Sequence, residues 1–149
     1  MKKKKIVIVS DHAGFSLKQK LLKFLAGEKY DVKDLGSYTK DDIDDYPDFG
    51  HLMATAVSNG EFDLGISVCG TGNGINMVAN KHQGIRSALC WNEEISRLAR
   101  AHNNANVCAL PGRFISEPEA YLIVKTFLET SFDGGRHKRR IDKIPLKMY

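Results

Sequence analysis

The chain has 149 residues, 42% of them hydrophobic, with 22 Lys and Arg against 18 Asp and Glu and a net charge of +4. The length suits a single domain over residues 1–149, and the composition excludes a disordered chain. No apolar run approaches the ~20 residues of a membrane span, and the N-terminus lacks the apolar stretch and cleavage site of a signal peptide. The three cysteines are widely spaced, which favours free thiols in a reducing compartment. We therefore expect a soluble, cytoplasmic protein with no membrane partner.

The positive charge is concentrated at the two ends of the chain. Lys2–Lys5 and the stretch from Arg136 onward hold ten of the basic residues, and the rest of the chain has 12 basic and 17 acidic residues. A nucleic-acid-binding protein needs a basic face, so we expect no nucleic-acid partner. Residues 131–149 are predicted to form a basic C-terminal tail whose arginines suit a local anion site.

Short β-branched runs alternate with amphipathic stretches. Strands are predicted at residues 6–9, 32–35, 64–68, 85–89 and 107–110. A helix with an apolar face is predicted after each strand. The first three are formed by Leu17, Leu21, Phe24 and Leu25, by Phe49, Leu52, Met53, Ala56 and Val57, and by a short segment near Ile75. The last two are formed by Ile95, Leu98, Ala99 and His102, and by residues within 117–130. Five such repeats predict an α/β fold, with a five-stranded parallel sheet covered by helices on both faces.

The loops at the carboxyl edge of such a sheet are where ligands bind. This rule selects Asp11-His12 after the first strand, residues 69–74 after the third, Trp91-Asn92 after the fourth and residues 111–113 after the fifth.

The stretch after the third strand is the most informative. It reads Cys69-Gly70-Thr71-Gly72-Asn73-Gly74, and three glycines in five positions allow backbone N–H groups to converge on an anion. The spacing matches neither the dinucleotide fingerprint nor a P-loop. Cys69 could act there as a nucleophile or as a general base, whereas a tight glycine-rich turn is the alternative interpretation.

Other candidate residues also have two interpretations. Asp11 could supply a carboxylate to a site at the end of the first strand or cap the first helix, and His102 could be a site residue or a core histidine. Arg136 and Arg140 would form a phosphate clamp if their segment is helical, or a solvated tail if it is not. Asn103 could simply end its helix, Tyr46-Pro47 could wall a pocket or form a turn, and Cys90 and Cys108 are expected in the core.

These motifs together resemble the ribose-5-phosphate isomerase B family, which also contains allose-6-phosphate and galactose-6-phosphate isomerases. The segments that carry the likeness are 10–15, 45–47, 69–75, 79–81, 84–86, 102–103 and 134–137. The resemblance implies a three-layer α/β/α Rossmann-like sandwich. It also implies interconversion of D-ribose 5-phosphate and D-ribulose 5-phosphate through an enediolate, without metal or cofactor.

The resemblance also implies roles for individual residues. Cys69 matches the base of the family's cysteine branch, since the other branch uses a glutamate where this chain has Ile75. Thr71 and the amides of 70–74 would hold the oxyanion, while His102 would open the furanose ring with Asp11 aiding proton transfer. The substrate contacts would come from His12, Tyr46, Gly70, Gly72, Asn73, Gly74, Asn103, Arg113, Arg136 and Arg140.

Chain direction adds an expectation about assembly. His102 lies at the carboxyl end of its helix, and therefore near the amino edge of the sheet. Cys69 lies at the carboxyl edge, and a strand of about five residues separates the two edges by ~17 Å. A two-fold homodimer could place each subunit's His102 and tail over the other's glycine loop, and the dimer could double to a tetramer.

The sequence therefore leaves three functions open. The isomerase acts on a pentose phosphate or on a hexose 6-phosphate, and pocket depth, which decides between them, is not in the sequence. A cysteine phosphatase or hydrolase would need an arginine where Ile75 stands. A non-catalytic phosphosugar-binding module would have no use for both Cys69 and His102.

Overall fold

The computed structural model describes residues 3–147, which form five strands and six helices. The strands are β1 (Ile6–Ser10), β2 (Val32–Asp34), β3 (Leu64–Cys69), β4 (Ser87–Leu89) and β5 (Val107–Pro111). The helices are α1 (Phe15–Gly27), α2 (Tyr46–Ser58), α3 (Asn73–Ala79), α4 (Glu93–Asn103), α5 (Glu117–Glu129) and α6 (Arg136–Ile141). No helix in this range is long and apolar enough to cross a membrane. The predictions of one domain over 1–149 and of a tail over 131–149 include residues outside the described range, and they stay predictions.

The strands form one sheet in the order β2-β1-β3-β5-β4, and all neighbouring pairs are parallel. The predicted five-stranded parallel sheet is therefore confirmed. After β1 the chain first extends the sheet to one side through β2, and then to the other side from β3 onward. The carboxyl ends of β1 and β3 thus flank the point where the strand order reverses, which is where open α/β sheets bind ligands.

Helices cover both faces of the sheet, as the three-layer prediction requires. One core contains buried residues of α1, α4 and α5, including Leu21, Ala99 and Phe127, packed on Ile8 and Ile66. The other core contains residues of α2 and α3 packed on the opposite face of the same strands. Cys90 and Cys108 are fully buried, in agreement with their predicted place in the core.

Some predicted helix faces are wrong in detail. Leu52 is 53% exposed, because α2 packs instead through neighbours such as Met53 and Ala54. On α4 the buried positions include Ser96 and Arg100, whose side chains donate to the carbonyl oxygens of Ile123 and Ala105. As a result, the predicted inward residues of α4 other than Ala99 are only half-buried.

Two predicted boundaries also shift for local reasons. Strand β4 begins two residues after the predicted start, because the Ile85 amide donates to the His82 carbonyl and the Arg86 amide donates to Asn106 Oδ1. The tail contains a helical turn, α6, which places Arg136 and Arg140 one turn apart with Ile141 buried beneath them.

The close contact between α1 and β3 leads to a first prediction. A Cβ atom on Gly14 would lie 2.4 Å from the Val68 carbonyl oxygen, and backbone cannot move aside as a side chain can. We expect Gly14→Ala to lower the free energy of unfolding by roughly 1–3 kcal/mol, the usual scale of overpacking. Gly27→Ala, at the other end of α1, is the matched control because nothing lies within 4 Å of its Cβ position. It should be neutral or slightly stabilising in urea unfolding, and equal effects of the two variants would contradict the prediction.

Candidate active site

The glycine loop lies directly between β3 and α3. Cys69 is the last residue of β3, and Gly72 precedes the first residue of α3, Asn73. Gly72 has a φ of 75°, in the left-handed region that favours glycine. The Asn73 amide donates to Thr71 Oγ1 at 3.2 Å, so the Thr71 hydroxyl acts there as an acceptor and keeps its own proton for a ligand oxygen. Among residues 3–147, no backbone carbonyl accepts from the amides of residues 70–72, so the loop combines available amides at a helix start with a hydroxyl donor.

The Cys69 side chain is 4% exposed and packs against the core formed with α2 and α3. Its carbonyl accepts from the Gly112 amide at 2.9 Å, and the Gly70 carbonyl accepts from the Arg113 amide at 3.0 Å. These two bonds fix the end of β5 against the glycine loop. The main chain at Cys69 is therefore fixed where the loop begins, and its side chain is buried there.

Arg113 and Tyr46 lie against opposite ends of the loop. A Cβ atom on Gly70 would lie 3.1 Å from Arg113 Nη1, so the guanidinium runs across Gly70. A Cβ atom on Gly74 would lie 2.5 Å from the Tyr46 ring. Tyr46 begins α2 and Pro47 lies in its first turn, so the predicted turn before this helix is wrong for this pair, and the pocket wall stays a prediction. Glycine at positions 70 and 74 allows a cation and an aromatic ring to approach the loop backbone closely.

Asp11 and His12 join this site from the end of β1. The Asp11 amide donates to the Val68 carbonyl at 3.2 Å, next to Cys69. The Asp11 side chain is 6% exposed and its Oδ1 accepts from the Gly14 amide at 2.9 Å. It therefore stabilises the turn before α1, while no residue in the described range donates to Oδ2. His12 bonds to Asp44, a residue that the sequence analysis did not identify.

The other predicted site residues lie at the opposite edge of the sheet. His102 and Asn103 end α4, and the Asn103 carbonyl accepts from Arg86 Nε, just before β4 begins. Cys69 pairs with Pro111 at the carboxyl end of the β3–β5 ladder, whereas Gly65 pairs with Val107 at the amino end. Because α4 leads directly into Val107, His102 lies at that amino end. The structure therefore does not bring His102 to the Cys69 of its own chain, in agreement with the expectation from chain direction.

His102 lies beside the tail, where the sequence analysis missed one residue. The His102 side chain is 40% exposed, so it is not a core histidine, and its ring stacks on that of His137 at a centroid distance of 4.1 Å. Burial, followed by the positive charges of His102, Arg136 and Arg140, lowers the pKa of His137. The sequence held one signal for this contact, because His137 lies between Arg136 and Arg140 in the predicted anion site.

His102, His137 and Asp133 are also the one group within residues 3–147 that has the composition of a metal site. A ligand atom from each lies within 4.8 Å of the others. The two imidazole rings are nearly parallel, 10° apart, so their in-plane lone pairs do not converge on one point. The adjacent Arg136 and Arg140 make the surroundings positive. This group suits an anion better than a cation.

The fold and the glycine loop together define an α/β protein that has, at the switch point of a parallel sheet, a loop suited to an anion and a cysteine where that loop begins. The family model described as Ribose/Galactose Isomerase matches residues 6–144. The chain belongs to this family, and the prediction that it is an isomerase is confirmed.

Individual relatives agree along almost the whole chain. The chain is 49% identical over 140 residues to a probable ribose-5-phosphate isomerase B of Mycoplasma genitalium, covering 93% of this chain and 92% of that one. It is 39% identical to ribose-5-phosphate isomerase B of Escherichia coli strain K12, covering 95% and 94%. Among solved structures, ribose 5-phosphate isomerase of Thermotoga maritima matches with a TM-score of 0.92 and 50% identity, covering 95% and 97%. The Mycoplasma genitalium enzyme, solved with bound ribulose-5-phosphate, matches with a TM-score of 0.90 and 48% identity, covering 94% and 93%.

Proposed function

We propose that this chain interconverts D-ribose 5-phosphate and D-ribulose 5-phosphate, with the glycine loop as its active site. The observation that carries the proposal is the Cys69 thiol held at the base of a loop that presents free amides, the Thr71 hydroxyl and the Arg113 guanidinium. The solved Mycoplasma genitalium relative, with ribulose-5-phosphate bound, supports this substrate.

The chemistry moves a carbonyl between C1 and C2 of the open-chain sugar. Cys69, as thiolate, takes the proton from C2 of the aldose, the electron pair forms the C1–C2 double bond, and O1 becomes an oxyanion. Thr71 and the loop amides stabilise that charge, at about 3 kcal/mol per well-placed donor. Asp11 moves the proton between O2 and O1, and the thiol returns its proton to C1 to give the ketose. Ile75 is fully buried and cannot titrate, so it cannot replace Cys69 as the base.

The remaining residues would come from a second subunit. In the proposed homodimer, His102 of one chain protonates the ring oxygen of the sugar bound to the other, while Asn103, Arg136 and Arg140 hold the phosphate. Two observations support this: Arg136 and Arg140 are exposed and form no ion pair with any residue from 3 to 147, and Ile95 and Leu98 on α4 are only half-buried. Tyr46, Asn73 and His12 complete the substrate contacts from the first chain.

A hexose 6-phosphate is the second candidate substrate, because the matched family model includes galactose isomerases. The two substrates differ by one carbon between carbonyl and phosphate. A phosphatase reaction is disfavoured, since the position where it needs an arginine is Ile75, buried in the core. The cytoplasmic location stays a prediction that the three free thiols support.

Steady-state kinetics on two sugars test this proposal. We expect chelator-treated enzyme without added metal to turn over ribose 5-phosphate with a kcat/KM at least about tenfold above that for allose 6-phosphate, since one extra carbon in a fitted pocket costs about 1–3 kcal/mol. A preference for allose 6-phosphate would assign the hexose substrate instead. Turnover of neither sugar would overturn the proposed function.

A further inference from the structure

Asp44 contacts both the backbone and the side chain of His12. Its Oδ1 accepts from the His12 backbone amide at 2.7 Å and lies 2.9 Å from His12 Nδ1. Both side chains are mostly covered, with 26% of His12 and 19% of Asp44 exposed. One carboxylate oxygen therefore fixes the backbone and the ring of the same histidine.

These contacts determine which nitrogen of His12 carries the proton. The Asp44 amide also lies 3.3 Å from Nδ1, so Nδ1 could accept from that amide or donate to the carboxylate. An unprotonated Nδ1 would turn its lone pair toward a carboxylate oxygen at 2.9 Å, and the two would repel each other. Nδ1 therefore carries a proton, and Nε2, which has no hydrogen-bond partner within residues 3–147, is left for a ligand.

Asp44 remains ionised to support this arrangement. Burial alone would raise the pKa of its carboxyl group, but the nearby Ser37 hydroxyl and the hydrogen bonds from the backbone and ring of His12 outweigh burial and lower it. The Ser37 hydroxyl donates to the Thr39 carbonyl at 3.1 Å, so the bonds that hold the Asp44 carboxylate in place are the two from His12.

A buried lysine fixes the segment that leads to Asp44. Lys18 on α1 is fully buried, and its Nζ donates to Asp34 Oδ1 at 2.7 Å and to the Ser37 carbonyl. The Ser37 amide in turn donates to the Ser10 carbonyl at 2.7 Å, immediately before Asp11. The loop after β2, which leads to Asp44, is thus tied to the end of β1, which leads to His12.

We propose that Asp44 is a positioning residue of the isomerase, which holds the His12 ring in the Nδ1–H form and presents Nε2 to the substrate. The inference rests on the proposed function, because His12 is assigned there as a substrate contact. At metal sites, removal of a carboxylate that orients a ligating histidine commonly costs about 10- to 100-fold in affinity or activity, and we expect an effect of the same order here.

Kinetics of a double-mutant cycle test the role. Asp44→Ala should lower kcat/KM by about tenfold or more, mainly through a higher KM, since His12 binds rather than reacts. Asp44→Asn keeps an acceptor oxygen and should stay within about threefold of the parent enzyme. In a His12→Ala background, Asp44→Ala should cost less than about twofold, because its effect acts through the ring that is now absent. The control is Asp42→Ala, an exposed residue of the same loop, which should leave the kinetics unchanged.

A measurement that needs no activity separates this inference from the proposed function. Long-range nitrogen–proton NMR of ¹⁵N-histidine-labelled protein should show His12 with a proton on Nδ1, and this signature should be lost in Asp44→Ala and kept in Asp42→Ala. An Nδ1 without a proton in the parent protein, or additive effects of Asp44→Ala and His12→Ala on kcat/KM, would overturn the inference. Inactivity of the parent enzyme on both sugars would count against the proposed function alone.

Discussion

Cys69→Ala should abolish exchange of the sugar's carbon-bound hydrogen with solvent. The thiolate is the base in the proposed mechanism, and general bases typically contribute about 10²- to 10⁴-fold to the rate. The measurement is deuterium incorporation into ribose 5-phosphate in heavy water, followed by proton NMR. Cys69→Ser should fall close to the alanine variant, since a hydroxyl ionises far less readily than a thiol.

Cys108→Ala is the matched control for packing. Cys108 is also buried, on the neighbouring strand β5, so its substitution removes the same atoms from the same sheet without touching the glycine loop. It should exchange deuterium at the parent rate. Undiminished exchange in a folded Cys69→Ala chain would show that the proposed base is wrong.

Mixing Cys69→Ala chains with His102→Ala chains should restore activity that neither variant has alone. In a two-fold dimer with shared sites, a mixed dimer has one site with both defects and one site with none. If the subunits exchange at random, half of the dimers are mixed, so about a quarter of all sites are intact. If every dimer were mixed, about half of all sites would be intact. The measurement is turnover after subunit exchange under mild denaturant, with dimer mixing checked by tagged chains.

The control pair is Cys69→Ala with Asp11→Ala. Both residues lie at the carboxyl edge of the same chain, next to Val68, so every site in every dimer keeps one defect. This mixture should stay inactive. Recovery by the control pair, or no recovery by the Cys69 and His102 pair after proven exchange, would contradict a site divided between subunits.

The parallel sheet and the position of the glycine loop could be predicted because both follow from local patterns. Continuous apolar runs such as Ile6–Val9 indicate buried parallel strands, and the carboxyl edge rule then selects the loop after the third strand. The residues at the far edge could also be separated from the loop, because the direction of α4 sets the position of His102 once the topology is known.

Long-range polar contacts could not be predicted in the same way. Lys18 on α1 is followed by the polar Gln19 and Lys20 and looks solvated, yet its partners, Asp34 and Ser37, lie 16 and 19 residues away. The bond between His12 and Asp44 spans 32 residues and depends on how an acidic loop folds back. Helix periodicity reports apolar burial, and it carries no information about a buried charge that is paired through tertiary structure.

The 4% exposure of Cys69 limits which electrophiles can reach its sulfur. A bulky alkylating reagent should react slowly with this buried thiol, which packs against the core formed with α2 and α3. A covalent inhibitor would therefore need a small reactive group on a sugar-like chain whose phosphate can reach the arginines that the second subunit contributes in the proposed dimer. Selectivity would then come from the burial of the sulfur rather than from the reactivity of the electrophile.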